Sequence, residues 1–227
     1  MPDVVLDWGR FARTGTSEAV LCEPKSAPQI DAIVAEARSL GRRLLLTRLR
    51  PRQHAALDSG TRDALDYDAA TRTAVLGGLP PARATGRVAI VCAGTSDLAV
   101  AREAERTLAF AGEIATMVND VGVAGLWRLM DRIDEIRAHR VAIAVAGMEG
   151  ALFTVLAGLV PCAVIAVPTS VGYGVARGGR VALHAALASC SSGVVATNID
   201  NGFGAAHAAL RILADPAVPV DASGVSR

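Results

Sequence analysis

The sequence predicts an α/β protein: a doubly wound parallel sheet over the last two-thirds of the chain, preceded by a small α/β domain. Three observations carry that reading. From residue 88 onward, five short apolar runs alternate with helix-length segments. The runs are unbroken instead of alternating with polar residues, as strands buried on both faces must be. The composition is 52% hydrophobic but only 4% aromatic, so the core is made of Ala, Val, Leu and Ile, which suits closely packed α/β layers.

The small domain comes first, over residues 1–80. Ser26 and Gln29 have the spacing of a capping box, ahead of a helix with Ile30, Ile33, Val34 and Ala37 on one face. Residues 43–47 read as a short buried strand. Pro51 opens another short helix with Leu57 near its end, and Tyr67 and Val75 fall in weaker strand segments. The run Gly77-Gly78-Leu79-Pro80-Pro81 reads as a linker.

The second domain, 81–227, is more regular. Strands are expected at Val88–Cys92, 114–118, Val141–Ala146, 163–167 and Val194–Ala196. Helices are expected at about 97–112, 123–132, 149–159 and 181–189, with a last one beginning near Gly204. Residues 151–167 carry no charge, yet Gly158, Pro161 and Pro168 punctuate them, so they read as helix, turn and buried strand and not as a membrane span. The tail after Pro216 reads as disordered.

A net charge of +1 gives no electrostatic pull toward nucleic acid or an anionic membrane. The chain opens without a charged-then-apolar signal segment. Cys22, Cys92, Cys162 and Cys190 are widely spaced, without CxxC and without a histidine at zinc-site spacing, so free thiols in a cytoplasmic protein are expected.

Ligands of such sheets sit beyond the carboxyl ends of the strands, so the residues after each strand are the informative ones. After the first come Gly94, Thr95, Ser96 and Asp97. A glycine there allows close backbone approach, and hydroxyls at a helix start suit a phosphate; a plain helix cap with a first-turn acid is the other reading. Asp120 follows the second strand. After the third, Gly147 and Glu149 place a carboxylate at a helix start, either as dipole compensation or as a base or orienting group. The fourth loop, with Thr169, Ser170 and Tyr173, is long and glycine-rich, as lids and binding loops are. The last loop, with Asn198, Asp200 and Asn201, is too polar for a mere connection. Together these loops predict a phosphorylated, nucleotide-like ligand.

The stretches VAIVCAGTSDLAVAREAERTL, MVNDVGVAGLWRL, VAIAVAGMEGALFTVLAGLVPCAVIAVPTSVGYG and ASCSSGVVATNIDNGFGAAHAA span most of the last 140 or so residues. In this order they resemble the LarB family of nickel-pincer nucleotide cofactor biosynthesis, whose C-terminal domain is similar to PurE, the carboxyaminoimidazole ribonucleotide mutase. LDWGRFARTG, EAVLCEPKSAPQIDAI and LLLTR resemble the N-terminal part of the same family. Thr16-Ser17 before Glu18 departs from it, where an apolar residue and a proline are expected. PurE-like mutases carry a Ser-Ala-His-Arg stretch after the second strand. Here that place holds Asn119-Asp120-Val121-Gly122-Val123, and Ala138-His139-Arg140 precedes the third strand, at the opposite end of the sheet.

The resemblance implies a PurE/flavodoxin-like fold and a carboxylase/hydrolase acting on nicotinic acid adenine dinucleotide. CO2 or bicarbonate is the co-substrate; C5 of the pyridinium ring is carboxylated, the phosphoanhydride is cleaved and AMP leaves. It implies no tightly bound cofactor, assistance by Mg2+ or another divalent ion whose ligands are unknown, and a homo-oligomer, an octamer or tetramer. The matching nucleophile is Cys190, adding to the electron-poor ring; Glu149 or Asp120 would take the C5 proton, or orient the substrate or a metal. A thiol of ordinary pKa, roughly 8.5, is only partly ionised at neutral pH, so the substrate's own cationic ring is expected to stabilise the thiolate. The competing functions are the purine mutase and a non-catalytic nucleotide-binding module.

Overall fold

A computed structural model describes residues 4–82 and 85–214. The tail after Pro216 lies outside the described residues. The described residues fall into two compact units, the first built on residues 4–81 and the second on 85–213.

In the first unit, α1 is Arg10–Thr14, β1 Ala19–Leu21, α2 Ala27–Ser39, β2 Leu44–Thr47, α3 Pro51–Ala55, α4 Ser59–Ala64, β3 Leu65–Asp68 and β4 Thr73–Leu76. The sheet order is β1-β2-β4-β3. β1 and β2 run parallel, joined by α2, while β4 pairs antiparallel with both neighbours. The Ser26 cap forms: Gln29 Oε1 accepts from the Ser26 backbone N–H at 3.0 Å. Ile30, Ile33, Val34 and Ala37 of α2 then bury against Leu44, Leu46, Leu49 and Leu57.

In the second unit, β5 is Val88–Cys92, α5 Leu98–Phe110, β6 Ala115–Val118, α6 Leu126–Met130, α7 Ile133–Arg137, β7 Val141–Ala146, α8 Ala151–Ala157, β8 Ala163–Pro168, α9 Arg180–Leu187, β9 Val194–Ala196 and α10 Gly202–Leu213. All five strands are parallel, in the order β6-β5-β7-β8-β9. This is the flavodoxin-like winding, and it is the α/β fold that the sequence predicts. The helix expected at 123–132 is instead a 3-10 turn at Val123–Gly125 followed by α6, and α7 continues beyond it. The helix breaks at Arg132, whose φ of −115° and ψ of 5° leave the helical region.

Residue size is divided between the two faces of the sheet. One face presents Ala89, Ala142, Ala144 and Ala166, and the large side chains Leu129, Leu152, Phe153 and Leu156 of the helices fill the space above them. The other face presents Ile90, Ile143, Val145 and Ile165 to helices α5 and α10, which are lined with Ala101, Ala104, Ala205, Ala206 and Ala209. Small meets large on both faces, so a core poor in aromatics still packs densely. α10 approaches α5 closely enough that a Cβ at Gly202 would lie 2.3 Å from the Val100 carbonyl oxygen. Among the described residues, no helix is long and apolar enough to cross a membrane.

Candidate active site

Strand order reverses between β5 and β7, so the loops after these two strands flank the switch point where doubly wound sheets take their ligands. Asp97 ties that edge together. It is 4% exposed, and its Oδ1 accepts from the Thr169 hydroxyl at 2.5 Å while its Oδ2 accepts from the Gly94 N–H at 3.1 Å. The Gly147 N–H also donates to this carboxylate. One side chain thereby joins the loops after β5, β7 and β8. Burial pushes the Asp97 carboxyl above its usual range; the Thr169 and Gly94 bonds act the other way, and Asp200 adds to the rise. Gly147 is needed for this closure, since a Cβ there would lie 2.3 Å from the Val171 carbonyl oxygen and 2.7 Å from Thr169 Oγ1.

The remaining strand-end residues frame the same edge. Thr95 and Ser96 are exposed in a 3-10 turn ahead of α5. Glu149 is exposed beside Gly150, which enters α8 at φ 68°. Asp200 Oδ1 accepts from the Ser170 N–H at 2.8 Å, coupling the loops after β8 and β9. Asn198 accepts from the Ile199 N–H at 2.8 Å, and Asn201 caps α10 by accepting from the Gly204 N–H at 2.9 Å. Tyr173 stands 77% exposed in the loop after β8. Asp120, after β6, pairs with Arg128 at 2.7 Å, a partner the sequence reading missed although it lies on the next helix. Asp120, Met148 and Asp200 all have φ near +55°, so three of these loops hold non-glycine residues in the left-handed region.

Cys190 lies elsewhere. It sits between the end of α9 and the start of β9, and the Val164 N–H reaches the Gly193 carbonyl at 3.4 Å beside the beginning of β8. That is the amino edge of the sheet. β7, six residues long, separates the two edges by about 20 Å at ~3.3 Å per residue. The structure therefore brings the strand-end loops together but does not bring Cys190 to them within one chain. His139 occupies the same amino edge, with its ring nitrogens engaged by the Glu135 carbonyl at 2.9 Å and the Thr116 hydroxyl at 2.8 Å.

Cys190 nonetheless has a firm support. Thr154 Oγ1 donates to Ser189 Oγ at 2.9 Å, and Ser191 Oγ donates to the Thr154 carbonyl at 2.9 Å. The residues on either side of the cysteine are thus pinned to α8, while Cys190 itself is exposed. No sequence signal marks Thr154 for this part. Cys22 and Cys92 are buried, and burial pushes both thiols up to about 12; burial also raises Cys162.

Among the described residues, no three His, Cys, Asp or Glu side chains gather as metal ligands, and Asp97, Asp120 and Asp200 all accept protein hydrogen bonds.

A parallel sheet of this order, with polar loops at its switch point, defines the doubly wound, flavodoxin-like α/β class. Residues 87–221 match the AIR carboxylase family, and residues 3–77 match the LarB/PurE-like N-terminal domain. The chain belongs to the LarB family and carries a PurE-like domain. It is 48% identical over 122 residues to an uncharacterized protein of Methanocaldococcus jannaschii, a match covering 53% of this chain and 46% of that relative. The chain thus aligns with just under half the length of that curated relative.

Proposed function

We propose that this protein is a LarB-type pyridinium carboxylase with phosphoanhydride hydrolase activity. It converts nicotinic acid adenine dinucleotide, CO2 or bicarbonate, and water into pyridinium-3,5-biscarboxylic acid mononucleotide and AMP, the water being taken up where the phosphoanhydride is cleaved. The observation that carries this reading is Cys190: the exposed member of four cysteines, held between two serines anchored to Thr154, in a chain of this family.

A pyridinium ring is too electron-poor to attack CO2. Addition of the Cys190 thiolate to a ring carbon beside nitrogen removes the ring's cationic charge and leaves C5 enamine-like. C5 then attacks CO2, its proton passes to Glu149 or Asp120, and departure of the thiolate restores aromaticity. The polar loops at the carboxyl edge hold the phosphates, with Thr95, Ser96, Ser170 and the asparagines as donors.

Because Cys190 and those loops lie at opposite edges of one sheet, we assign the complete reaction centre to a symmetric homo-oligomer, an octamer or tetramer. The cysteine of one copy meets the loops of another. Exposed Trp127, Leu126 and Met130 on α6 and exposed Leu187 on α9 supply apolar surface for such contacts.

The test is incubation with nicotinic acid adenine dinucleotide and 13C-bicarbonate, with products read by mass spectrometry. A mononucleotide carrying one labelled carboxylate, together with AMP, is expected. Turnover of an aminoimidazole ribonucleotide instead would make the protein a mutase. Binding of the dinucleotide without turnover would make it a binding module.

A further inference from the structure

The loop after β6 leads to an arginine that no step of the reaction above uses. That loop is fastened to the end of β5, the neighbouring parallel strand. The Val121 N–H donates to the Cys92 carbonyl at 3.1 Å, and a Cβ at Gly122 would lie 2.9 Å from the Ala93 carbonyl oxygen. The Gly125 N–H donates to the Gly122 carbonyl at 3.0 Å and closes the turn that enters α6. Leu129 is fully buried and anchors α6 in the core. Arg128, one residue before it, reaches back to Asp120 at the carboxyl edge, beside the strand end that continues into Thr95 and Ser96.

The guanidinium lies against bare backbone. A Cβ at Gly125 would be 2.8 Å from Arg128 Nε, 3.1 Å from Nη2 and 3.3 Å from Cζ, so any side chain there would push the group from its seat. Arg128 Nη1 donates to Asp120 Oδ2 at 2.7 Å, and Asp120 is held in the left-handed region at φ 56°. A guanidinium carries five N–H donors, and this bond uses one of them. Among the described residues no other acceptor takes the rest, and the Arg128 side chain keeps 31% exposure. The arginine is therefore oriented by Asp120 without being saturated by it.

We infer that Arg128 determines substrate specificity by binding the carboxylate of the nicotinate ring, so that the acid is taken in preference to the amide. The inference rests on the pyridinium-carboxylase reading above. A planar guanidinium fork matches a carboxylate in two parallel N–H···O bonds, which a lysine in its place would not reproduce. The carboxylate also offsets the positive charge of its own ring. An amide offers one neutral acceptor and leaves the ring's charge facing the guanidinium, so like charges are brought together.

The test is isothermal titration of the assembled full chain, without bicarbonate, with nicotinic acid adenine dinucleotide and with nicotinamide adenine dinucleotide, which differ only at the group in question. The acid should bind roughly tenfold more tightly than the amide, the scale of one hydrogen bond to a charged group. Arg128→Ala should abolish that preference by weakening the acid and not the amide, a split that general damage to the loop does not produce. Arg128→Lys, which keeps the charge and loses the fork, should retain only part of it. Circular dichroism checks that both variants are folded, and the labelled-product assay above is run in parallel. Equal binding of the two dinucleotides by the unaltered protein, or an undiminished preference in either variant, would overturn the assignment of Arg128 even where labelled product still forms. If neither dinucleotide binds and no product forms, the carboxylase reading falls and this inference falls with it.

Discussion

Replacing Thr169 by valine removes one hydroxyl from a fully buried position and leaves the volume almost unchanged. The lost bond is the 2.5 Å donation to Asp97, itself 4% exposed, so solvent screens little of the effect. Asp97 has a folded pKa above its unfolded value of 3.8. Its protonated form therefore favours folding, and that contribution is fully present below the unfolded value and lost as pH rises through the folded one. Without the Thr169 donor the folded pKa rises further, and the carboxylate at high pH loses a charge-assisted bond. The expected loss is about 1 kcal/mol near pH 3, below the unfolded value, where a neutral bond disappears, and about 2–3 kcal/mol near pH 8. With an m-value of about 2 kcal/mol/M, the urea midpoint falls by roughly 0.5 M and 1–1.5 M respectively. Because the chain has two units, the transition should be read by pulsed hydrogen exchange on the β7 peptide, which reports the second unit alone. Equal shifts at the two pH values, or a shift under about 0.2 M at pH 8, would refute the assignment of Asp97 as the tie between the loops.

Thiol labelling at pH 8 should modify Cys190 first, Cys162 more slowly, and Cys22 and Cys92 only after unfolding; fast labelling of a buried cysteine would contradict the packing. Arg87→Ala takes the guanidinium, 2.6 Å away, from the Glu113 side chain, which is only 1% exposed; the second unit should lose about 3–5 kcal/mol in urea titration, and Glu113→Gln less. Light scattering should show an oligomer at micromolar concentration. Co-refolding Cys190→Ser chains with Ser96→Ala chains should recover activity that neither has alone, if loops and cysteine come from different copies.

The second domain was legible because strands buried on both faces are written as unbroken apolar runs, and all five were placed within a residue at either end. The first domain was legible where helix starts are marked locally: Ser26 with Gln29, and Pro51. β1 was missed because three residues with one buried position leave no period to read. The tie made by Asp97 could not be read, because it depends on Thr169, 72 residues away. Cys190 is the instructive case. A helix that follows a parallel strand returns to the amino edge, so a residue between helix and next strand must lie there. That rule places both Ala138-His139-Arg140 and Cys190 at the edge opposite the loops, and only the topology makes its consequence for the cysteine plain.

The central claim is that Cys190 bonds covalently to a pyridinium ring. Mixing the assembled protein with nicotinic acid adenine dinucleotide, without bicarbonate, and recording absorbance and intact mass tests it directly. The account predicts a dihydropyridine-like absorbance and a mass increase equal to the bound pyridinium ligand, mapped to Cys190, reversed by removing ligand and absent in Cys190→Ser. An adduct on another cysteine, or carboxylation retained in Cys190→Ser, would contradict it.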